Sequence, residues 1–117
     1  MSERTARRAK VVRMKKKIEN YLDTLNYIQP APRSSSSKFL DNSYAKAACM
    51  QLLEELDRVQ SCPFDLTVLE VLEGYSNRMD RYACEHKNKE KAYCFVVASN
   101  TAQYFIEEYW KDQRRRA

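Results

Sequence analysis

The sequence predicts an all-α fold: a small helical bundle with three helices from Tyr44 onward and a long basic helix before it. The 117 residues include only one Gly and three Pro, far fewer turn residues than a β-protein needs. Apolar residues also recur at alternating steps of three and four, which is typical of helices. Hydrophobic residues at 44% and charged residues at 32% favour one folded domain with a single core.

A basic amphipathic helix is predicted over residues 1–28. Its apolar residues form an a/d heptad seam, the pattern by which helices pair. The seam consists of Val11, Met14, Ile18, Tyr21, Leu25 and Ile28. Pro30 and Pro32 follow it and end the helix, because proline has no backbone N–H to donate. The seam can pack on the rest of the chain, pair with a second copy or bind another protein, and these three alternatives stay open.

A Pro/Ser-rich linker is predicted over residues 29–43. It contains two prolines and four consecutive serines at 34–37, a polar composition that cannot cover a core. Because it separates the first helix from the body, the sequence leaves open whether that helix docks or projects.

The three-helix body is predicted over residues 44–114, with helices at about 44–60, 64–85 and 90–114. Gly74 lies inside the second of these and costs about 1 kcal/mol relative to Ala, so we expect a close helix crossing there. A close approach is also expected at the small residues of the last helix, Ala98, Ser99, Thr101 and Ala102.

Two groups of aromatic residues admit a binding interpretation. Five tyrosines at helical spacing are more typical of a core with hydroxyls at its rim than of a base-stacking surface: Tyr75, Tyr82, Tyr93, Tyr104 and Tyr109. Trp110 is expected to be exposed, beside a C-terminal basic cluster, and is a candidate interface residue.

Charge is unevenly distributed. Residues 1–17 hold eight Lys or Arg against one Glu, a net charge of +7, and residues 111–117 hold four against one Asp, a net +3. Since the whole chain carries +5, residues 18–110 carry −5. Such asymmetry concerns partners rather than fold.

The basic residues are the strongest candidate binding site. Cations along one helix match the spacing of a phosphate backbone, whose contacts release counterions, and they equally suit an acidic protein. The candidates are Arg4, Arg7, Arg8, Lys10, Arg13, Lys15, Lys16, Lys17, Arg114, Arg115 and Arg116. A solvated terminus with no partner is the alternative, and membrane binding is disfavoured because the helix lacks Trp and Phe. A protein interface would instead use the seam and Trp110.

Catalytic and metal sites are not predicted. His86 is the sole histidine, and Cys84, His86 and Cys94 lack the paired spacing of structural zinc sites. One glycine cannot build a phosphate-binding loop, so we expect no enzyme activity, metal or cofactor. The four cysteines are expected to be reduced and to pack as small hydrophobes: Cys49, Cys62, Cys84 and Cys94. Without a long apolar segment or secretory signal, a cytoplasmic protein with no membrane contact is expected.

Several stretches resemble small helical proteins of unknown function from Gram-positive bacteria and their phages. They are residues 30–56 with Tyr44-Ala45-Lys46-Ala47, the run Met79-Asp80-Arg81-Tyr82-Ala83-Cys84, and Tyr93-Cys94-Phe95. The resemblance covers roughly half the chain and assigns no residue a role. It implies an accessory protein of a phage or mobile element, of a kind that blocks defence nucleases such as CRISPR effectors or regulates the element's own DNA.

The sequence therefore favours a non-enzymatic accessory protein that binds nucleic acid or a nucleoprotein complex through its basic N-terminal helix. The alternative is a helical protein-interaction module or homodimer without a nucleic-acid role.

Overall fold

Four α-helices form the bundle in a computed structural model of the chain. The structure describes the backbone of residues 3–27, 36–61 and 67–116, and the side chains of residues 8–25, 42–59 and 67–115. The helices are α1 (Glu3–Tyr27), α2 (Ser36–Ser61), α3 (Val68–Glu85) and α4 (Lys89–Arg116). No strand occurs within those ranges, so the predicted all-α class is confirmed.

Helix α1 docks on the body through its apolar seam. Four seam side chains are at most 5% exposed and belong to the common hydrophobic core: Val11, Met14, Ile18 and Leu25. Tyr21 is half-buried against the same core, whereas Ile28 lies outside the described residues. Of the three alternatives left open by the sequence, the structure has the seam packed on its own chain.

Helix α2 begins at Ser36, eight residues before the predicted start at Tyr44. The linker predicted over 29–43 is therefore wrong over residues 36–43, while residues 28–35 lie outside the described part. Serine is only a moderately poor helix former. Adding a turn to an existing helix costs far less than nucleating one, so a serine-rich stretch can extend a helix that is already formed.

Helix α3 begins at Val68 rather than at residue 64, because Thr67 caps it. The Thr67 backbone is extended, and its hydroxyl accepts a hydrogen bond from the Glu70 N–H at 3.1 Å, satisfying one of the free donors of the first turn. At the other end the His86 N–H donates to the Tyr82 carbonyl at 3.1 Å. The predicted turn at 86–89 is accordingly short, since α4 starts at Lys89.

Among the described helices, α3 and α4 share the most extensive contact, and small residues allow it. Ala98, Ser99, Thr101 and Ala102 are all buried, as predicted. The hydroxyls of Ser76 and Ser99 lie 3.0 Å apart across the interface. The expected crossing at Gly74 is wrong, because a Cβ added there would meet nothing within 4 Å.

The tyrosines divide between core and surface. Tyr75 is 2% exposed and its hydroxyl donates to Gln51 Oε1 at 2.5 Å. Tyr82, Tyr93 and Tyr104 are exposed, so their predicted core position is wrong. These three tyrosines lie at the rim of the core, and each ring packs on another aromatic ring. Tyr104, for example, stacks on Tyr21 at 5.0 Å between centroids.

None of the described helices has a segment apolar enough and long enough to span a bilayer.

Candidate nucleic-acid interface

Helices α1 and α4 run antiparallel, which brings the two basic segments to the same end of the bundle. Three contacts establish the direction: Arg13 with Asp112, Lys17 with Glu108, and Tyr21 with Tyr104. From one contact to the next, the residue number rises by four along α1 and falls by four along α4. The start of α1 therefore lies beside the end of α4, and we call this region, residues 4–17 with 111–116, the basic end.

Three cations of the basic end hold α1 in place. Arg13 Nε lies 3.6 Å from Asp112 Oδ2 on α4, and Lys17 Nζ donates to the Glu108 carbonyl at 3.4 Å. On the opposite side, Lys15 forms an ion pair with Asp57 on α2. These side chains were predicted to contact a ligand, but in this fold they flank the buried seam and contact the body.

Other cations of the basic end face solvent. Arg8 and Lys16 on α1 and Arg114 and Arg115 on α4 are exposed. Among the residues whose side chains the structure describes, none forms an ion pair with these four. They are therefore the members of the predicted set that remain available to a partner.

The remaining predicted cations divide into two groups. Lys10 is half-buried at the α1–α4 junction, beside Tyr109 and Gln113. Arg4, Arg7 and Arg116 belong to the helical backbone of the basic end, and their side chains lie outside the described set.

A small recess opens at the basic end, along the described α1–α4 junction. The recess between Lys10, Arg13, Met14 and Tyr109 measures only about 10 Å³, which is close to the smallest space that can hold one water molecule. Beside this recess, the described part of the basic end offers exposed cations on two helices. That form suits a polyanion lying across the surface and does not suit an enclosed small ligand.

Trp110 directly precedes the α4 segment of the basic end and is 48% exposed. The sequence predicted its exposure. Its ring and that of Tyr109 form a T-shaped pair, at 5.4 Å between centroids and 77° between planes. Trp110 precedes Arg114 by four residues, so their side chains are neighbours on α4.

An aromatic cluster occupies the other end of α4. His86 stacks on Phe95 at 5.2 Å and 16°, and Tyr82 packs on the same ring at 5.4 Å. A recess of about 430 Å³ opens beside them, lined by Tyr44, His86, Glu90, Lys91, Cys94 and Phe95. Within the described side chains, no group of three or more potential metal ligands comes together.

The described cysteines differ in environment. Cys49 is fully buried, and burial raises its pKa to about 12, so the thiol stays neutral. Burial also raises the pKa of Tyr75 and Tyr21. Cys84 is exposed, so its predicted packing as a buried hydrophobe is wrong. Cys94 is half-buried, its Sγ 3.0 Å from the Lys91 carbonyl, and Cys62 lies outside the described residues.

The residues that anchor α1 are not identified by the sequence pattern. Asp57, Glu108 and Asp112 were counted only as parts of an acidic body or a basic tail. A signal was present, since Lys15 and Lys17 occupy the e and g positions beside the seam, where interhelical ion pairs usually form.

No protein-family model matches this chain, and no curated protein or solved structure is significantly similar to it.

Proposed function

We propose that this protein binds nucleic acid, free or within a nucleoprotein complex, through the cations of its basic end and without catalysing a reaction. The observation behind the proposal is the antiparallel packing of α1 and α4. It brings a segment of net charge +7 and a segment of net charge +3 to one end of the bundle. A helical body of net charge −5 extends away from them.

Electrostatics makes a phosphate backbone the best match for this surface. Each neutralised phosphate releases condensed counterions, a gain that needs no pocket. The exposed pair on α1, Arg8 and Lys16, and the exposed pair on α4, Arg114 and Arg115, supply such contacts from two adjacent helices. The cations bound to Asp57, Glu108 and Asp112 serve the fold and are not part of the proposed contact.

A nucleoprotein complex falls within the same proposal. The resemblance to phage-type helical proteins suggests a defence nuclease, such as a CRISPR effector, as one complex of this kind. The basic end would then compete for, or add to, the nucleic acid that the nuclease holds.

The proposed contact is tested by reversing charge at the basic end. In the test variant Arg8, Lys16, Arg114 and Arg115 are each replaced by Glu. The matched control replaces four exposed cations of the α3–α4 turn region by Glu: Arg81, Lys87, Lys89 and Lys91. Both variants change the net charge equally, and on α4 the two sets lie about 35 Å apart at 1.5 Å per residue.

Binding is measured by fluorescence anisotropy of labelled mixed-sequence DNA and RNA. We expect the basic-end variant to lose at least ~100-fold in affinity at low salt, given the number of phosphate contacts removed, and the control to lose far less. Equal losses of affinity in both variants would show that binding depends on the overall net charge and not on the basic end. Unchanged affinity in the basic-end variant would remove the proposal.

The alternative of a protein-interaction module or homodimer formed through the seam receives less support from this fold. Its side chains Val11, Met14, Ile18 and Leu25 are at most 5% exposed, so such an interface would require α1 to leave the body. Light scattering distinguishes the two hypotheses. A stable dimer that does not bind nucleic acid would favour the alternative.

A further inference from the structure

Trp110 is the only tryptophan in the chain, and it is not part of the core. Neither the buried set nor the partly buried hydrophobics packed against it include this residue. Instead, 48% of it faces solvent. The α1-facing side of α4 presents Tyr109, Asp112 and Gln113, so the indole contributes little to holding α1. A large exposed aromatic side chain of this kind is typical of a binding position.

Cations lie on one side of Trp110 and an acid on the other. Arg114, one turn later, and Arg115 are exposed, and Glu107, one turn earlier, is exposed as well. Lys111 follows directly, with its Nζ 3.5 Å from Glu108 Oε1. A polyanion meeting the indole is therefore attracted toward the end of α4 and repelled along its earlier turns.

We infer that Trp110 is a stacking platform for an unpaired nucleobase, so that the basic end selects single-stranded over duplex nucleic acid. This inference rests on the proposed function, since the cations supply the phosphate contacts. An indole offers its face to any base, and base–aromatic stacking is worth about 1–3 kcal/mol per base. In a duplex both faces of every interior base are already stacked, so the indole can stack there only on an end pair or by disrupting the helix.

The positions of Trp110 and Arg114 fit this role. Side chains four residues apart on a helix have their Cβ atoms about 5–6 Å apart, so a base on the indole leaves its own or the next phosphate within reach of the guanidinium. Arg115, the residue after Arg114, adds a second exposed cation at the end of α4. Charge complementarity beside the ring favours a polyanion as the occupant, and the exposed indole favours a single strand over a duplex.

The test uses Trp110 as its own probe, because intrinsic tryptophan fluorescence has no other source in this chain. Oligo-dT and a mixed-sequence duplex of equal length are titrated into the full-length protein. Labelled strands give the affinities independently by anisotropy. We expect saturable quenching by oligo-dT at its binding midpoint, little quenching by the duplex, and tighter binding of the single strand.

Two variants make the result specific. Trp110→Ala should lower oligo-dT affinity by about 5–150-fold, the range that loss of one stacked base implies, while Trp110→Phe should recover most of it. Tyr82→Leu is the matched control, since Tyr82 is 40% exposed and lies at the other end of the bundle. Circular dichroism checks that all three variants keep their helix content.

The outcomes distinguish this inference from the proposed function. Salt-sensitive binding with no quenching, no strand preference and no effect of Trp110→Ala would overturn the stacking role and leave the phosphate contacts in place. No binding of either nucleic acid at low salt would overturn both.

Discussion

The Arg13 guanidinium on α1 lies 3.6 Å from the Asp112 carboxylate on α4, between Nε and Oδ2. Both side chains are largely shielded, with 33% and 20% of their surface exposed. The pair belongs to the antiparallel register in which α1 runs against α4, and the ion pair of Lys15 with Asp57 joins α1 to α2 on the other side. The two basic segments meet at one end because of this register.

The intramolecular seam is tested by comparing two α1 residues. Ile18 is 0% exposed and Val12 is 50% exposed. Ile18→Asp places an unpaired carboxylate in the core, which should cost about 4 kcal/mol or more and unfold much of the protein. Val12→Asp should change the free energy of unfolding by about 0.5 kcal/mol or less. Circular dichroism with urea titration measures both.

A folded Ile18→Asp protein would contradict this packing. If that variant kept its stability but lost a dimer seen for the wild type, the seam would belong to an intermolecular interface instead.

Gly74→Ala should stabilise the protein by about 0.5–1 kcal/mol. Gly74 lies in the middle of α3, and a Cβ placed there meets no atom within 4 Å. Alanine therefore adds helix propensity and reduces unfolded-state entropy without a clash. Urea unfolding gives the change. A destabilised variant would show that a helix or ligand does approach this position.

The buried hydroxyl pair of α3 and α4 should behave as a unit. Gln103 Nε2 donates to Ser76 Oγ at 2.8 Å, and Ser76 Oγ lies 3.0 Å from Ser99 Oγ. Ser76→Ala leaves the Ser99 hydroxyl without this partner and should cost about 1–3 kcal/mol. The double variant with Ser99→Ala should recover part of that loss, because no hydroxyl is then left behind. Additive losses in a double-mutant cycle would argue against the pairing.

Stability should fall at alkaline pH. Burial raises the pKa of Cys49 from 9.0 to about 12, so the folded state keeps a proton that the unfolded state releases. The corresponding stability is complete below pH 9 and is lost as the pH rises toward 12, by up to about 1.4 kcal/mol per pH unit. Tyr75 and Tyr21 act in the same direction, starting from their usual value of 10.0.

Cys49→Ala isolates the thiol contribution. That variant should be less stable than the wild type at pH 7.5, yet lose less stability between pH 9 and 10. In this range the Cys49 thiol of the wild type titrates in the unfolded state but not in the folded state. Thermal unfolding across that range measures it. A variant whose stability falls as steeply as that of the wild type would assign the pH dependence to other groups.

Much of the fold could be predicted from the sequence, because a helix that packs on one face repeats its apolar residues every three or four positions. Spacing predicted the seam of α1, of which four residues are buried, and residue size predicted the close approach at the small residues of α4, which are also buried. Helix starts were less predictable. Ser36 and Thr67 begin or cap helices through local backbone preferences that are weak compared with tertiary packing.

The candidate site was only partly predictable. The sequence singled out the cations, but which of them contact the body depends on the register of α1 against α2 and α4. Arg13 and Lys15 have acidic partners on other helices, whereas Arg8 and Lys16, of the same charge, are exposed. That distinction comes from three-dimensional packing, as does the meeting of residues 4–17 with 111–116.

The most direct test of the basic end as a nucleic-acid surface is the salt dependence of oligo-dT binding, measured by anisotropy for the wild type between about 50 and 200 mM salt. Contacts from Arg8, Lys16, Arg114 and Arg115 to four phosphates predict that log K falls against log salt with a slope of about −3, at roughly −0.7 per phosphate on a single strand. The slope should flatten in the variant with these four changed to Glu, if binding is still measurable. Absent binding at the lowest salt, or a slope near zero, would contradict the proposal.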